Sequence, residues 1–319
     1  MDAFFLRLLH MSITAGWLIL AVILLRPFLR LAPKWLSCIL WAMVAVRLLC
    51  PVALKSPLSL IPGEEMGSVR PLHFEMFPAG MIWAAGLMAM LLYALAGFFR
   101  IRRKVREAVP LRDNVLLCDA VETPFILGVF RPRIYLPSGI DAEQMKPVIA
   151  HEETHLKRGD HWWKPLGFGL LAIYWFHPLV WAAYILFCRD IELACDEKVI
   201  KNMDPDEKKE YSRALVESSV HRRMIMVCPL AFGGAGVRER VKNVLNYRKP
   251  ALWMIGTAVM ICAAVAVCFL TNPNENASDT GAVIFTGDEN KKYIAVPVNY
   301  ENGIYYFVPD GESKNSIGN

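Results

Sequence analysis

LGFGLLAIYWFHPLVWAAYILF, residues 166 to 187, is the stretch on which the fold depends. Preceded by Pro165, it is long and apolar enough to cross a bilayer once, since a hydrocarbon core of about 30 Å takes roughly 20 helical residues. His177-Pro178 lies near its middle, where a proline removes a backbone donor and breaks a helix. A single crossing would put Ala150-His151-Glu152-Glu153-Thr154-His155 and Ile191-Glu192-Leu193-Ala194-Cys195-Asp196-Glu197 on opposite sides of the membrane. Two full crossings need about 40 residues. The two flanking motifs share one side only if residues 165–187 form a shallow hairpin or re-entrant pair, and that is the expectation.

The rest of the chain supports a membrane setting. Of its 319 residues 55% are hydrophobic and only 20% charged, and the mean hydropathy is +0.33. That excess is gathered in four blocks, at about 4–25, 35–54, 79–99 and 251–270. An ordinary soluble enzyme is excluded on this distribution. The N-terminus carries Asp2 and no basic run ahead of the first block, so a retained span is expected there in place of a cleavable signal. Basic clusters follow the first block (Arg26, Arg30, Lys34), follow the third (Arg100, Arg102, Arg103, Lys104, Arg106) and precede the fourth (Arg238, Arg240, Lys242, Arg248, Lys249). By the positive-inside rule these flanks are cytoplasmic. Residues 55–78 and the tail 272–319, which carries three Lys against seven Asp and Glu, are placed outside. Both termini are thus expected outside the cell membrane, with residues 100–250 as one cytoplasmic section. The net charge of +5 is absorbed by these flanks, and no module for direct nucleic-acid binding is visible. Arg7, His10 and Arg47 fall at or near membrane depth, where they are expected to snorkel or face the bundle interior. Eight cysteines with no CxxC, several inside apolar blocks, predict no disulfide framework.

The cytoplasmic section holds the chemistry. HEETH places His151 and His155 one helical turn apart on one face, so two imidazole nitrogens can take adjacent corners of a tetrahedral Zn2+ site. Glu152 is angled toward the open corner, where it can take a proton from an attacking water and pass it to a leaving amine. Two third ligands compete. His161 has the metzincin offset from His155, but Arg158 stands where that pattern needs glycine. Glu192, 37 residues beyond His155 on a helix-compatible stretch, would complete a His2Glu site with one open position and is preferred. Asp196, one turn on, could accept the free ring N–H of a ligating histidine. Cys188 and Cys195 beside it read as core or interface thiols. Upstream, VLLCDAVETPFILGVFRPRIYL (115–136) predicts a small antiparallel sheet whose edge could hold an extended peptide. Asp141 with Gln144 is the expected cap of the HEETH helix, with Pro147 implying a kink or later start, and Asp204 or Asp206 the cap of the next charged run.

HEETHLKRGDH, His177-Pro178-Leu179-Val180-Trp181, ELACDE and TPFILGVFRPRIYLP together resemble the BlaR/MecR-type antirepressor membrane metallopeptidases. More distantly the chain resembles gluzincins such as the membrane-bound CAAX prenyl proteases, whose HExxH and ExxxD pattern is matched by His151, Glu152, His155, Glu192 and Asp196. The resemblance spans roughly residues 1–271 and includes the basic VRERVKNVL stretch. It implies a mainly α, polytopic membrane protein with four transmembrane helices and a cytoplasmic gluzincin-like metallopeptidase domain at 100–250. It also implies regulated proteolysis of a transcriptional repressor, for which a winged-helix protein is the candidate, or of the protein itself; a homodimer is compatible with it. The residues after 271 contain no SxxK, so a penicillin-binding sensor is not expected in this sequence. Runs AVIFTG, KYIAVPVNY and GIYYFVP read as short strands in an outer tail. A second class remains open: a non-catalytic membrane signal transducer in which zinc only stabilises the cytoplasmic domain.

Overall fold

The structure, a computed structural model, describes residues 2–50, 54–55, 79–220, 236–272, 284–286, 292–299 and 304–309. His221-Arg222-Arg223 lies outside the described residues. The fold is mainly helical, with a small sheet beside the helix that carries HEETH.

Among the described residues three helices are long and apolar enough to cross a membrane: α1 (Asp2–Leu25), α3 (Ala79–Lys104) and α9 (Leu252–Leu270). The second expected span is shorter than its apolar block. α2 (Lys34–Leu49) has 16 residues, about 24 Å at 1.5 Å per residue, because Pro33 sets its start and Pro51 follows its end. Beyond α2 a two-residue strand β1 (Leu54–Lys55) pairs in parallel with β6 (Thr271–Asn272), so the C-terminal ends of α2 and α9 lie together. Large apolar side chains such as Met81, Met88 and Leu92 of α3, and Trp253 and Met260 of α9, face outward, which in water would be costly and in lipid is not. Arg47 is buried, whereas Arg7 is exposed.

Residues 165–187 do not form one helix. α5 (Asp160–Ile173) ends in a turn at Tyr174–Phe176, and α6 (Pro178–Ile200) starts with His177 as its cap and Pro178 at its first position, where the missing N–H costs nothing. The turn is held by named contacts: Tyr174 donates to the Leu48 carbonyl (2.8 Å), and Trp83 Nε1 to that of Ile173 (2.8 Å). Phe176 meets Phe5 edge to face. These partners lie at the ends of α1, α2 and α3 remote from Arg26, Lys34 and Lys104, so the reversal reaches the far end of the bundle and is deep, not shallow. Gly86 admits it, since a Cβ there would lie 2.2 Å from the Trp175 ring. At the opposite end Arg26 and Trp41 Nε1 (2.7 Å) both donate to Asp190, fastening α6 to α1 and α2.

The sheet is mixed, not antiparallel. Its strands β2 (Val109–Arg112), β3 (Val115–Cys118), β4 (Phe125–Leu127) and β5 (Arg133–Pro137) stand in the order β2-β3-β5-β4, with β3 and β5 parallel. β2–β3 is a hairpin turned at Asp113 (φ 34°). The chain then crosses the end of the sheet, adds β4 at the outer edge and doubles back at Gly128 (φ 108°), so that β5 enters between β4 and β3. A crossover of this length is what parallel pairing requires. A Cβ on Gly128 would meet the Arg131 carbonyl oxygen at 2.6 Å, so the turn needs glycine. Val115, Ile134 and Leu136 pack on Val148 and Ile149 of α4 (Ala142–Arg158), which seats the HEETH helix on the sheet. Asp141 stands at the N-cap position of α4 but its side chain caps no backbone N–H and accepts instead from Gln144 Nε2 (3.1 Å), and the helix starts before Pro147 and runs through it. α7 (Pro205–Val220) opens on a reciprocal cap, in which Asp204 accepts from the Glu207 N–H (2.8 Å) and Glu207 from the Asp204 N–H (3.0 Å). α8 (Val237–Leu245) packs on α6 and α7 and leads into α9. Three tail strands, β7 (Ile284–Thr286), β8 (Lys292–Asn299) and β9 (Ile304–Pro309), form an antiparallel sheet.

Candidate metal centre

α4 and α6 supply the centre. The i, i+4 spacing of His151 and His155 brings their Nε2 atoms to 3.1 Å of each other. Across from them α6 presents Glu192, whose Oε2 is 3.6 Å from Nε2 of His151 and whose Oε1 is 3.6 Å from Nε2 of His155. All three side chains are buried. Donors about 2.0–2.1 Å from a tetrahedral ion stand roughly 3.3 Å apart, close to the spacing of these three groups. Glu192 Oε2 is buried and makes no hydrogen bond, although the Arg240 guanidinium stands 3.2 Å from it.

The other ring nitrogens fix the orientation. Asp160 Oδ2 lies 2.7 Å from Nδ1 of His155 and also accepts from Arg158 Nε at 3.1 Å. α4 ends at Gly159, whose left-handed φ of 75° turns the chain so that Asp160 folds back under His155. Tyr211 of α7 donates to Asp196 Oδ1 (2.7 Å) and accepts from Nδ1–H of His151 (2.8 Å). Asp196 Oδ1 lies 3.4 Å from His151 Nδ1, with the Tyr211 hydroxyl and not Asp196 taking the short contact to the ring. With Nδ1 the donor in both rings, each Nε2 presents its lone pair to the centre.

Cys195 belongs to the same cluster. His151, His155 and Cys195 offer ligand atoms within 4.8 Å of one another. Its Sγ, however, lies on the Nδ1 side of His151 (3.7 Å) and against that residue's carbonyl (3.5 Å), while Glu192 lies on the Nε2 side. Geometry thus separates the carboxylate facing the paired lone pairs from the thiol behind one ring. Glu192 and His161 both stand outside this group of three; Glu192 faces the two Nε2 atoms at 3.6 Å, whereas His161 Nδ1 is buried on α5 without a hydrogen bond.

Two cations compensate the carboxylates. Lys164 Nζ is 2.8 Å from Glu192 Oε1. Arg240, buried on α8, donates twice to Asp196 (both 2.7 Å), lies 3.2 Å from Glu192 Oε2 and 3.2 Å from His151 Nε2. Burial pushes the Glu192 carboxyl up, but Lys164, His155 and Arg240 outweigh it and hold the group well below its usual range. For His151, burial acts downward and the Cys195 sulfur upward, and the imidazole is lifted to about 9. Glu152 is buried and lines a cleft of about 20 Å³ with His151, Pro147, Tyr211 and Arg240. That is room for about one water. Pro124, one residue before the edge strand β4, lines the same cleft.

The spacing in HEETH and ELACDE points to five of these residues, His151, Glu152, His155, Glu192 and Asp196. Asp160, Lys164, Tyr211 and Arg240 were missed, and Cys195 was read as a bystander. Asp160 had a local signal, the Gly159 helix stop; Tyr211 and Arg240 had none.

A polytopic membrane protein with a buried cluster of two histidines, carboxylates and a thiol is the class that fold and site define. A family model for BlaR1 peptidase M56 matches residues 73–244, more than half of the chain, and the chain belongs to that family. It is similar to the regulatory protein BlaR1 of Bacillus licheniformis, 28% identical over 152 residues that cover 45% of this chain and 25% of that protein. It is also similar to the methicillin resistance mecR1 proteins of Staphylococcus aureus (strain Mu50) and Staphylococcus epidermidis, 22% identical over 194 residues covering 52% of this chain and 33% of theirs. The matched part thus spans a quarter to a third of the length of these relatives.

Proposed function

We propose that this chain is an integral membrane zinc endopeptidase of the gluzincin type. The observation that carries the reading is the pair of Nε2 lone pairs 3.1 Å apart, faced by the Glu192 carboxylate at 3.6 Å from each. His151, His155 and Glu192 would hold the ion, with Tyr211, Asp196 and Asp160 fixing the two rings. Zinc supplies Lewis acidity, making a water a strong nucleophile at neutral pH and drawing charge from a carbonyl. Glu152, in a cleft with room for a water, takes that water's proton and delivers it to the departing amine. The outer edge of β4, next to Pro124 at the cleft, offers unpaired backbone groups to an extended substrate peptide.

The basic flanks support a cytoplasmic centre and outward termini, with α2 as a fourth, short crossing. The joined ends of α2 and α9 at β1–β6 agree with that topology. The relatives' names concern regulation and resistance. From the antirepressor resemblance of the sequence we infer that the substrate is a cytoplasmic transcriptional repressor, of the winged-helix kind, or the chain itself. The test is the full chain in proteoliposomes, wild type and Glu152→Gln, both assayed for bound zinc and for cleavage of repressors encoded beside it. The reading requires equal zinc and loss of cleavage in Glu152→Gln; unimpaired cleavage overturns it.

A second reading rests on Cys195. If its thiolate joined the two histidines and Glu192, the ion would be four-coordinate by protein alone, the closed arrangement of structural zinc, and the chain a non-catalytic signal transducer.

A further inference from the structure

A cavity of about 800 Å³, distinct from the Glu152 cleft but sharing Asp160 with the surroundings of the metal centre, lies between α2, the α5–α6 hairpin and the start of α9. This is near the upper end for small-molecule pockets. Its long wall is the outward face of α2, where Trp35, Ile39, Val46 and Leu49 are all exposed. From Trp35 to Leu49 that wall measures about 21 Å, more than the roughly 15 Å depth of one lipid leaflet.

The cavity is polar at one end only. Arg158, Lys198 and Lys201 line that end, at the start of α2 and the C-terminal end of α6, together with the exposed indole of Trp163. Two acids are there also, but both are engaged: Asp160 with His155 and Arg158, and Glu197 with the Lys34 backbone N–H at 2.7 Å. The exposed Lys198 and Lys201 are left facing the opening, and the exposed Arg248 and Lys249 lie between two further lining residues, Tyr247 and Pro250. An apolar slot of leaflet depth, with cations and indoles at one rim, matches one ligand chemistry. The acyl chains lie along α2, and a phosphate meets the lysines where basic pockets between membrane helices select anionic headgroups.

We propose that this groove binds an anionic diacyl phospholipid, with its phosphate at Lys198 and Lys201. The proposal does not rest on the peptidase reading. A lipid there would hold α2 against the α6 end that carries Glu192 and Asp196.

The test is native mass spectrometry of the full chain released from detergent after mixing with dioleoyl phosphatidylglycerol or dioleoyl phosphatidylcholine. One phosphatidylglycerol adduct should be retained in preference, and Lys198→Gln/Lys201→Gln should weaken its retention about fivefold per lysine removed. Lys146→Gln/Lys209→Gln, which removes two lysines elsewhere, should leave it unchanged. Ala42→Trp, which fills the slot, should abolish retention of both lipids in a protein whose helical circular dichroism is intact. Equal retention of the two lipids by the wild type overturns the proposal, as does an undiminished preference in the Lys198/Lys201 variant. A lipid-free dimer whose formation Ala42→Trp prevents also overturns it, assigning the groove to a second copy.

Discussion

Arg240 and Asp196, 44 residues apart in sequence, form a buried two-pronged pair with both nitrogen–oxygen distances at 2.7 Å. The same guanidinium reaches Glu192 and His151, and it stands on the helix that leads into α9. The last membrane helix is thereby tied to the metal centre through one side chain. Removing one partner of a buried pair leaves the other charge uncompensated, at a cost of about 3–5 kcal/mol. Arg240→Met should therefore lower the unfolding midpoint sharply and release bound metal, while Arg240→Lys, which keeps charge but not the fork, should fall between. Thermal unfolding in detergent with zinc analysis checks this, and an unchanged midpoint in Arg240→Met would count against it.

Tyr211→Phe removes only the hydroxyl between His151 and Asp196. Loss of such an orienting group typically weakens metal affinity 10- to 100-fold. Competition with a chromophoric chelator measures the change. Affinity within twofold of wild type would mean that His151 is oriented without it.

The choice of third ligand is open to a direct comparison. Glu192→Ala should abolish stoichiometric zinc, while Cys195→Ala and His161→Ala should each retain it within a few-fold. Should Cys195→Ala lose the ion, the closed four-donor arrangement gains and the catalytic one loses.

Zinc uptake should depend on pH. The Nε2 atoms of His151 and His155 stand 3.1 Å apart, and the His151 imidazole is raised to about 9, so an ion entering there would displace a proton. A raised pKa gives stabilisation that is full below the unfolded value of about 6.5 and is lost as pH climbs through about 9. The metal-free protein should thus soften between these values. Zinc affinity should rise over the same window, up to about tenfold per pH unit, because binding expels the proton. Titration calorimetry at pH 7.5 in buffers of different ionisation enthalpy should show net proton release, since both imidazoles are raised; none released would contradict this.

Gly86→Ala should destabilise the junction of α3 with the hairpin, because the new methyl would stand 2.2 Å from the Trp175 ring. Overpacking of this kind costs about 1–3 kcal/mol. Proteolysis of the detergent-solubilised protein near Trp175 should accelerate relative to wild type, and equal rates would show that the indole moves aside freely.

Local order carried much of this protein in its sequence. Apolar blocks of bilayer length marked α1, α3 and α9, and HEETH put two imidazoles on one face because residues four apart stack along a helix. ELACDE did the same for Glu192 and Asp196, and Pro178 marked the start of α6. Tertiary structure alone decided the rest. The insertion of β5 beside β3, the depth of the hairpin, the shortness of α2, and the meeting of Tyr211, Arg240 and Lys164 with the cluster depend on contacts between distant segments. Periodicity reports which face of an element is apolar. It holds no information on which distant side chain compensates a buried charge, and that is settled only when the elements pack.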